Sequence, residues 1–215
     1  MSVLSGKKVL LGITAGIAAY KTANLVRLFI KSGSQVKVVM TPAAKEFVTP
    51  LTLSTLSKNP VLSSFTTDED DELWNNHVEL GVWADLLIIC PATANTMSKM
   101  SNGNCDNLLI ATYLSAKCKV FFAPAMDLDM YKHDSTQLSI SKLVSYGNFL
   151  IPPAIGELAS GLVGEGRMAE PEDIISFIET NLSEQLPLNG KTFLITACPT
   201  FESIDPVRLI VNHSS

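Results

Sequence analysis

The residues Leu86-Leu87-Ile88-Ile89-Cys90-Pro91-Ala92-Thr93-Ala94-Asn95-Thr96 decide the fold. Five apolar residues in a row, closed by a proline, read as a strand buried on both faces of a sheet. A small polar run follows at once, with hydroxyls and an amide able to face a ligand. Ligands of open parallel sheets bind beyond the carboxyl ends of the strands, so this run stands where binding is expected. The same residues also make an ordinary helix start with Thr93 or Thr96 as N-cap. The run alone leaves both readings open.

Upstream, Lys8 to Ile13 (KVLLGI) is a β-rich run, followed by Thr14-Ala15-Gly16 and a segment from Ile17 to Ile30. There Ala19, Ala23, Val26 and Ile30 recur at helical spacing, which predicts a strand, a tight turn and a helix. Gly12 and Gly16 allow a ligand close to the backbone, and a helix N-terminus attracts phosphate. The spacing is not GxGxxG, so a monophosphate or mononucleotide fits better than a dinucleotide. Gly33 ends the helix, and Gln35 to Met40 (QVKVVM) forms a second strand that delivers Thr41 to its carboxyl end. Helical patterns follow at Ala43 to Phe47 and Pro50 to Leu56, then an acidic solvated loop from Thr66 to Glu72. His77 comes just before the central strand. A lone histidine beside apolar residues is more often structural than catalytic.

Downstream, Asp106 to Ser115 reads as a helix and Lys119 to Ala123 as a strand ending in Pro124-Ala125-Met126-Asp127-Leu128-Asp129-Met130-Tyr131. Leu138 to Val144 reads as a helix and Phe149 to Ile151 as a short last strand. Gly156 to Met168 carries four glycines in thirteen residues, which predicts a mobile loop: either a lid over a ligand or a plain surface connection. Pro171 to Leu182 is a closing helix, Ser183 to Asn189 a polar linker, and Gly190 to Ala197 a new strand. The residues beyond it are too few to form a core. The predicted organisation is a domain over 1–182, a linker over 183–189 and a tail over 190–215. Strands near residues 8, 35, 86, 119 and 149, alternating with helices, predict an α/β fold with a doubly wound parallel sheet.

Apolar residues make up 47% of the 215 and charged residues 17%, a core-rich balance that argues against disorder. The net charge of −5 gives no global attraction for nucleic acid. No apolar run approaches the ~20 residues of a membrane span, and Met1 to Lys8 lacks the apolar core of a signal peptide. Cys90, Cys105, Cys118 and Cys198 form no CxxC pair and no metal-like spacing with the three histidines, so no metal site is expected. A reduced, cytoplasmic protein fits this composition.

The chain resembles the homo-oligomeric flavin-containing cysteine decarboxylases, most closely the phosphopantothenoylcysteine decarboxylase group. The resemblance runs from about Gly6 to Ala169 on five collinear matches. They are GITAGIAAYK (Gly12 to Lys21), MTPAA (Met40 to Ala44), His77, PATANT with CDNLL (Pro91 to Thr96, Cys105 to Leu109), and PAMxxxM (Pro124 to Met130). GEGRM (Gly164 to Met168) matches the family's substrate-covering flap. TACPT (Thr196 to Thr200) and IDPVRLIVNHSS (Ile204 to Ser215) look like entry into a phosphopantothenate–cysteine ligase domain.

The resemblance implies a Rossmann-like flavoprotein with bound FMN. It implies conversion of 4'-phosphopantothenoylcysteine to 4'-phosphopantetheine, in a homo-oligomer of one or more trimers whose sites mix residues from two chains. It assigns Gly12, Thr14, Thr41, Thr93, Asn95, Thr96 and Ala125 to FMN. His77 would be the base or orienting group of the oxidative step, its ordinary pKa of about 6.5 suiting that work. Asp127, Met130 and Arg167 would meet the substrate. Two positions depart from the family pattern. The asparagine that grips the substrate carboxylate is Asp127 here, and the flap cysteine that donates the last proton is Ser160. A carboxylate beside the substrate's own would repel it unless one is protonated. Ser160 would then relay a proton from Glu157 or Asp127. The alternatives are a peptidyl-cysteine decarboxylase and a catalytically idle FMN-binding regulatory subunit.

Overall fold

The computed structural model describes residues 2–66, 74–158, 161–186, 190–192, 194 and 200–212. Six strands form its central sheet: β1 (Lys8–Ile13), β2 (Gln35–Met40), β3 (Val61–Leu62), β4 (Leu86–Ala92), β5 (Lys119–Pro124) and β6 (Phe149–Leu150). Their order is β3-β2-β1-β4-β5-β6, and every neighbouring pair runs parallel. The chain winds from β1 to one edge, then returns to the other side of β1 at β4. The carboxyl ends of β1 and β4 therefore border the point where the winding reverses.

All seven residues of β4 are buried, because helices cover both faces of the sheet. Leu86, Ile88 and Cys90 pack on one face with Val9, Leu11 and Ile13 of β1. Leu87 and Ile89 pack on the other with Leu10. Burial pushes the Cys90 thiol up to about 12, against a smaller lowering by Lys21, so it stays protonated and serves as a small apolar group. The strand does not stop at its proline. It continues to Ala92, which pairs with Pro124 after a register shift, and Pro91 is tolerated there because the ladder is already irregular.

Eight α-helices are formed by described residues: α1 (Thr22–Lys31), α2 (Pro50–Ser57), α3 (His77–Trp83), α4 (Ala94–Asn102), α5 (Leu108–Ser115), α6 (Leu128–Lys132), α7 (Asp134–Ser145) and α8 (Pro171–Glu184). The helix expected over Ile17–Ile30 is divided. A 3-10 turn, Ile17–Lys21, precedes α1, and the face that α1 buries is Thr22, Leu25, Val26 and Phe29. Of the residues whose spacing predicted the helix, Ala19 and Val26 are buried, whereas Ala23 is half-buried and Ile30 exposed. The glycine-rich segment is no loop. It folds into an antiparallel hairpin of β7 (Ala154–Glu157) and β8 (Val163–Arg167).

Two compact units divide the chain, Met1–Ser183 and Glu184–Ser215. The second contains an antiparallel pair, β9 (Thr200–Ser203) and β10 (Leu209–Asn212). The strand expected over Gly190–Ala197 falls largely outside the described residues, as does most of the acidic loop of Thr66–Glu72. Among the described residues no helix is long and apolar enough to cross a membrane.

Gly12 has a packing role. It lies inside β1, and a Cβ placed there would stand 2.5 Å from Leu109 Cδ1 on α5. Its missing side chain lets α5 approach the sheet. A Gly12→Ala variant should lose about 1–3 kcal/mol to overpacking, and Leu109→Val in the same chain should restore part of it. Thermal melts of the single and double variants check this. An unchanged melt accompanied by loss of cofactor would return Gly12 to the ligand-contact role.

Candidate functional site

The reversal point is closed by hydroxyls. Thr14, the residue after β1, donates from Oγ1 to the Pro91 carbonyl at 2.7 Å. The same oxygen accepts from the Thr93 N–H at 3.3 Å. Thr93 is the N-cap of α4, accepting from the Thr96 N–H at 3.4 Å, and its hydroxyl donates to Thr96 Oγ1 at 3.2 Å. Capping and ligand-facing roles thus coincide in one residue, since Thr93 also lines the cavity that opens here.

That cavity has a volume of about 670 Å³. Of the residues predicted from sequence, Thr93, Ala125, Asp127, Met130 and Arg167 line it. Gly16 forms part of the wall opposite, its place for a Cβ no nearer than 3.7 Å to Thr93 Cγ2. The Pro124–Asp127 segment and the hairpin are bound together. Met126 N–H donates to the Gly166 carbonyl at 3.0 Å, and Gly166 has φ 133°, with Met126 O lying 2.5 Å from where its Cβ would be. Only glycine suits that place. Asp127 caps α6, its Oδ1 accepting from the Leu128 N–H at 2.8 Å. Asparagine and aspartate cap equally well, so the acidic residue costs the helix nothing while changing the charge of the wall.

Lys21 and Glu157 also line the cavity. Lys21 is only 7% exposed. Its ammonium donates to the Met168 carbonyl at 3.1 Å and to Glu170 Oε1 at 2.8 Å. Arg167 Nη2 donates to the same Glu170 oxygen at 2.8 Å. Lys21 above all holds the Glu170 carboxyl below its ordinary range. The lysine ends the GITAGIAAYK run, and a long cation in an otherwise apolar turn was the signal that could have found it.

The other predicted residues stand off this cavity. Thr96 is buried behind Thr93, Thr14 is buried in the strand junction, and Asn95 is exposed on the first turn of α4. Gly12 faces Leu109. Ser160 lies outside the described residues. His77 opens α3 behind the cap of Asn76, with its ring 6.0 Å from that of Trp74 and 6.2 Å from that of Phe65. Among the described residues, buried side-chain polar atoms without a hydrogen-bond partner occur at His77 Nδ1 and Thr41 Oγ1. Leaving such atoms unpaired costs about 1–3 kcal/mol each. Thr41 follows β2, next to β1 and the reversal point. No group of three or more His, Cys, Asp or Glu among the described residues could hold a metal ion.

Comparison with known proteins gives these features a family. Residues 2–183 match the Flavoprotein family model, and residues 188–215 match the DNA/pantothenate metabolism flavoprotein C-terminal domain. A cysteine/cysteine sulfinic acid decarboxylase of an unknown prokaryotic organism is 57% identical over 172 residues, covering 78% of this chain and 48% of that protein. The coenzyme A biosynthesis bifunctional protein CoaBC of Vibrio parahaemolyticus is 47% identical over 215 residues, 100% of this chain and 53% of that protein. The chain thus spans about half the length of these curated relatives. Among solved structures, a cysteine-to-serine mutant of PPC decarboxylase complexed with pantothenoylaminoethenethiol superposes with a TM-score of 0.72. It is 35% identical and covers 82% of this chain and 98% of that one. The sheet order, the hydroxyl-closed reversal point and these matches agree, and the chain belongs to the flavoprotein family.

Proposed function

We propose that the chain is an FMN-dependent decarboxylase that converts 4'-phosphopantothenoylcysteine to 4'-phosphopantetheine and CO2 in coenzyme A biosynthesis. The observation that carries this reading is convergence. The turn after β1, the PATANT run, the PAM segment and the GEGRM hairpin, distant in sequence, wall one cavity at the reversal point. The cavity suits a flavin mononucleotide: the Thr93 hydroxyl at the start of α4 for one phosphate, and small residues at Gly16 and Ala125 beside it. Thr93 and the N-terminus of α4 would hold the phosphate, with Thr14 and Thr96 fixing Thr93. Ala125 would leave room for the ring.

When bound, FMN supplies the two-electron acceptor that turns the substrate thiol into a thioaldehyde, the electron sink that lets CO2 leave. The chain's own residues do the rest. His77 takes a proton or orients the thiol through its imidazole. Met130 and Arg167 hold the substrate against the wall, and the hairpin excludes water. Loss of CO2 leaves an enethiolate, which needs a hydride and a proton to become the saturated thiol. Serine is a far poorer acid than a thiol of pKa about 8.5. Ser160 therefore relays a proton from Glu157 or Asp127, both of which line the cavity.

His77 is not on the cavity wall of its own chain. We infer that a second copy brings its His77 to this cavity, in a trimer or a multiple of trimers. The free thiols of Cys90, Cys105 and Cys118 suit a reducing cytoplasm. A second reading, decarboxylation of free cysteine or cysteine sulfinate, is favoured by Asp127. Its carboxylate on the cavity wall matches the α-ammonium of a free amino acid, and the relative at 57% identity bears such a name.

Three outcomes are expected. Purified protein should be yellow and should release FMN, not FAD, on denaturation. A colourless protein that takes up no added FMN would sink this reading. His77→Asn should keep FMN and the oligomer while abolishing CO2 release, and co-expression with Gly166→Val chains should restore part of the activity in mixed oligomers. Activity at the parent rate in His77→Asn alone would place the base elsewhere. Mass spectrometry should find saturated 4'-phosphopantetheine as the product, formed more slowly in Glu157→Gln. An enethiol two hydrogens lighter would mean that Ser160 stops the reaction halfway. Preferential turnover of free cysteine, lost in Asp127→Asn, would favour the second reading.

A further inference from the structure

Glu170 lies off the cavity wall, yet it touches two cations that are on it. Its Oε1 accepts from Lys21 Nζ and from Arg167 Nη2, each at 2.8 Å. Lys21 belongs to the turn after β1 and Arg167 to the last position of β8. One carboxylate oxygen therefore joins the turn that opens the fold to the foot of the hairpin. The Lys21 ammonium has a further donor to the Met168 carbonyl at 3.1 Å. The Met168 side chain is 1% exposed, with the Cys90 thiol donating to its Sδ at 3.3 Å. The hairpin's foot is thus fastened to β1's turn, to β4 and, through Gly166, to the PAM segment.

We propose that Glu170 is a positioning residue: it presents the Lys21 ammonium and the Arg167 guanidinium to an anionic group of the bound substrate and latches the hairpin's foot closed. Two like charges brought to one site repel, and a carboxylate between them removes most of that cost. An ammonium has three donors. Two of those on Lys21 go to Met168 and Glu170 among the described residues, which leaves the third for the cavity. Arg167 spends one edge on Glu170 and has further N–H groups to offer. The near-complete burial of Lys21 makes this pairing obligatory, since a buried ammonium without a counter-charge is costly. Glu170 itself is 42% exposed on its side chain, so its replacement leaves no cavity in the apolar core, and the cost falls on the Lys21 ammonium. The substrate half of this inference rests on the decarboxylase reading. The latch half does not.

The test uses the full chain with its cofactor as purified, in the parent form and as Glu170→Gln and Glu170→Ala. The melting temperature should fall in both variants, because the buried Lys21 ammonium loses its counter-charge, and amide hydrogen exchange should rise in Val163–Arg167 by more than it rises in Leu86–Ala92 of the same protein. With 4'-phosphopantothenoylcysteine as substrate, KM should rise about tenfold, the scale of one charge-assisted hydrogen bond, with kcat little changed. Glu170→Asp, which is one methylene shorter, should recover less than half of the loss. Exchange in Val163–Arg167 that rises no more than in Leu86–Ala92 would overturn the latch. Raised exchange with an unchanged KM, or a fall in kcat at constant KM, would overturn the presentation of the two cations. If the parent does not turn over this substrate at all, the functional reading has failed, and the exchange experiment still decides the latch.

Discussion

A single hydroxyl ties together the two strand ends at which the winding reverses. Thr14 Oγ1 both donates to the Pro91 carbonyl and accepts from the Thr93 N–H, bridging the end of β1 to the end of β4. At this point the ladder between β4 and β5 shifts register, so backbone groups near Pro91 lack regular sheet partners. A buried carbonyl without a partner is costly, and a threonine at the neighbouring strand end meets that need. The bridge fixes where α4 begins. It also fixes where the chain after β1 must turn, and the cavity is the space that these two departures leave.

The balance of charge around that space follows from the same constraint. The residues that leave the sheet at the reversal point are small or hydroxylated, and the carboxyl ends of β1 and β4 carry no cation. The positive charge comes instead from Lys21, one short turn later, and from Arg167, on an element added after the sheet is complete. Aspartate at position 127 and glutamate at 157 then make the wall mixed rather than uniformly basic. A site of this kind holds an anion at defined points instead of by a general field.

Much of this was legible in the chain itself. An unbroken apolar run such as Leu86–Cys90 can only be a strand covered on both faces, and the β-rich runs at Lys8, Gln35 and Lys119 place its partners. The hydroxyls that follow β1, β2 and β4 marked the binding end of the sheet. What escaped was decided by contacts between distant residues. The four glycines of Gly156–Met168 read as a flexible loop, because nothing local shows that Gly166 must pass against the Met126 carbonyl or that Gly164 must clear Leu128. Gly12 read as a ligand approach because Leu109, its neighbour in space, is far along the chain. The spacing found Ala19 and Val26 on the buried side but took Ala23 and Ile30 with them, where α1 buries Leu25 and Phe29 instead. Lys21 passed unremarked, since its importance lies in a partner at position 170.

The hairpin has one fast end and one slow end. Its foot carries the Met126–Gly166 hydrogen bond and the buried Met168. At the far end Val163 is 71% exposed, and the bonds that close the tip run between Leu158 and Leu162 and between Gly161 and Leu158. Such a ribbon unzips from the tip, losing the Glu157–Val163 pair early and the Ala154–Arg167 pair last. Opening of the ribbon therefore begins beside Glu157, while the wall at Asp127 stays fastened through the Met126–Gly166 hydrogen bond.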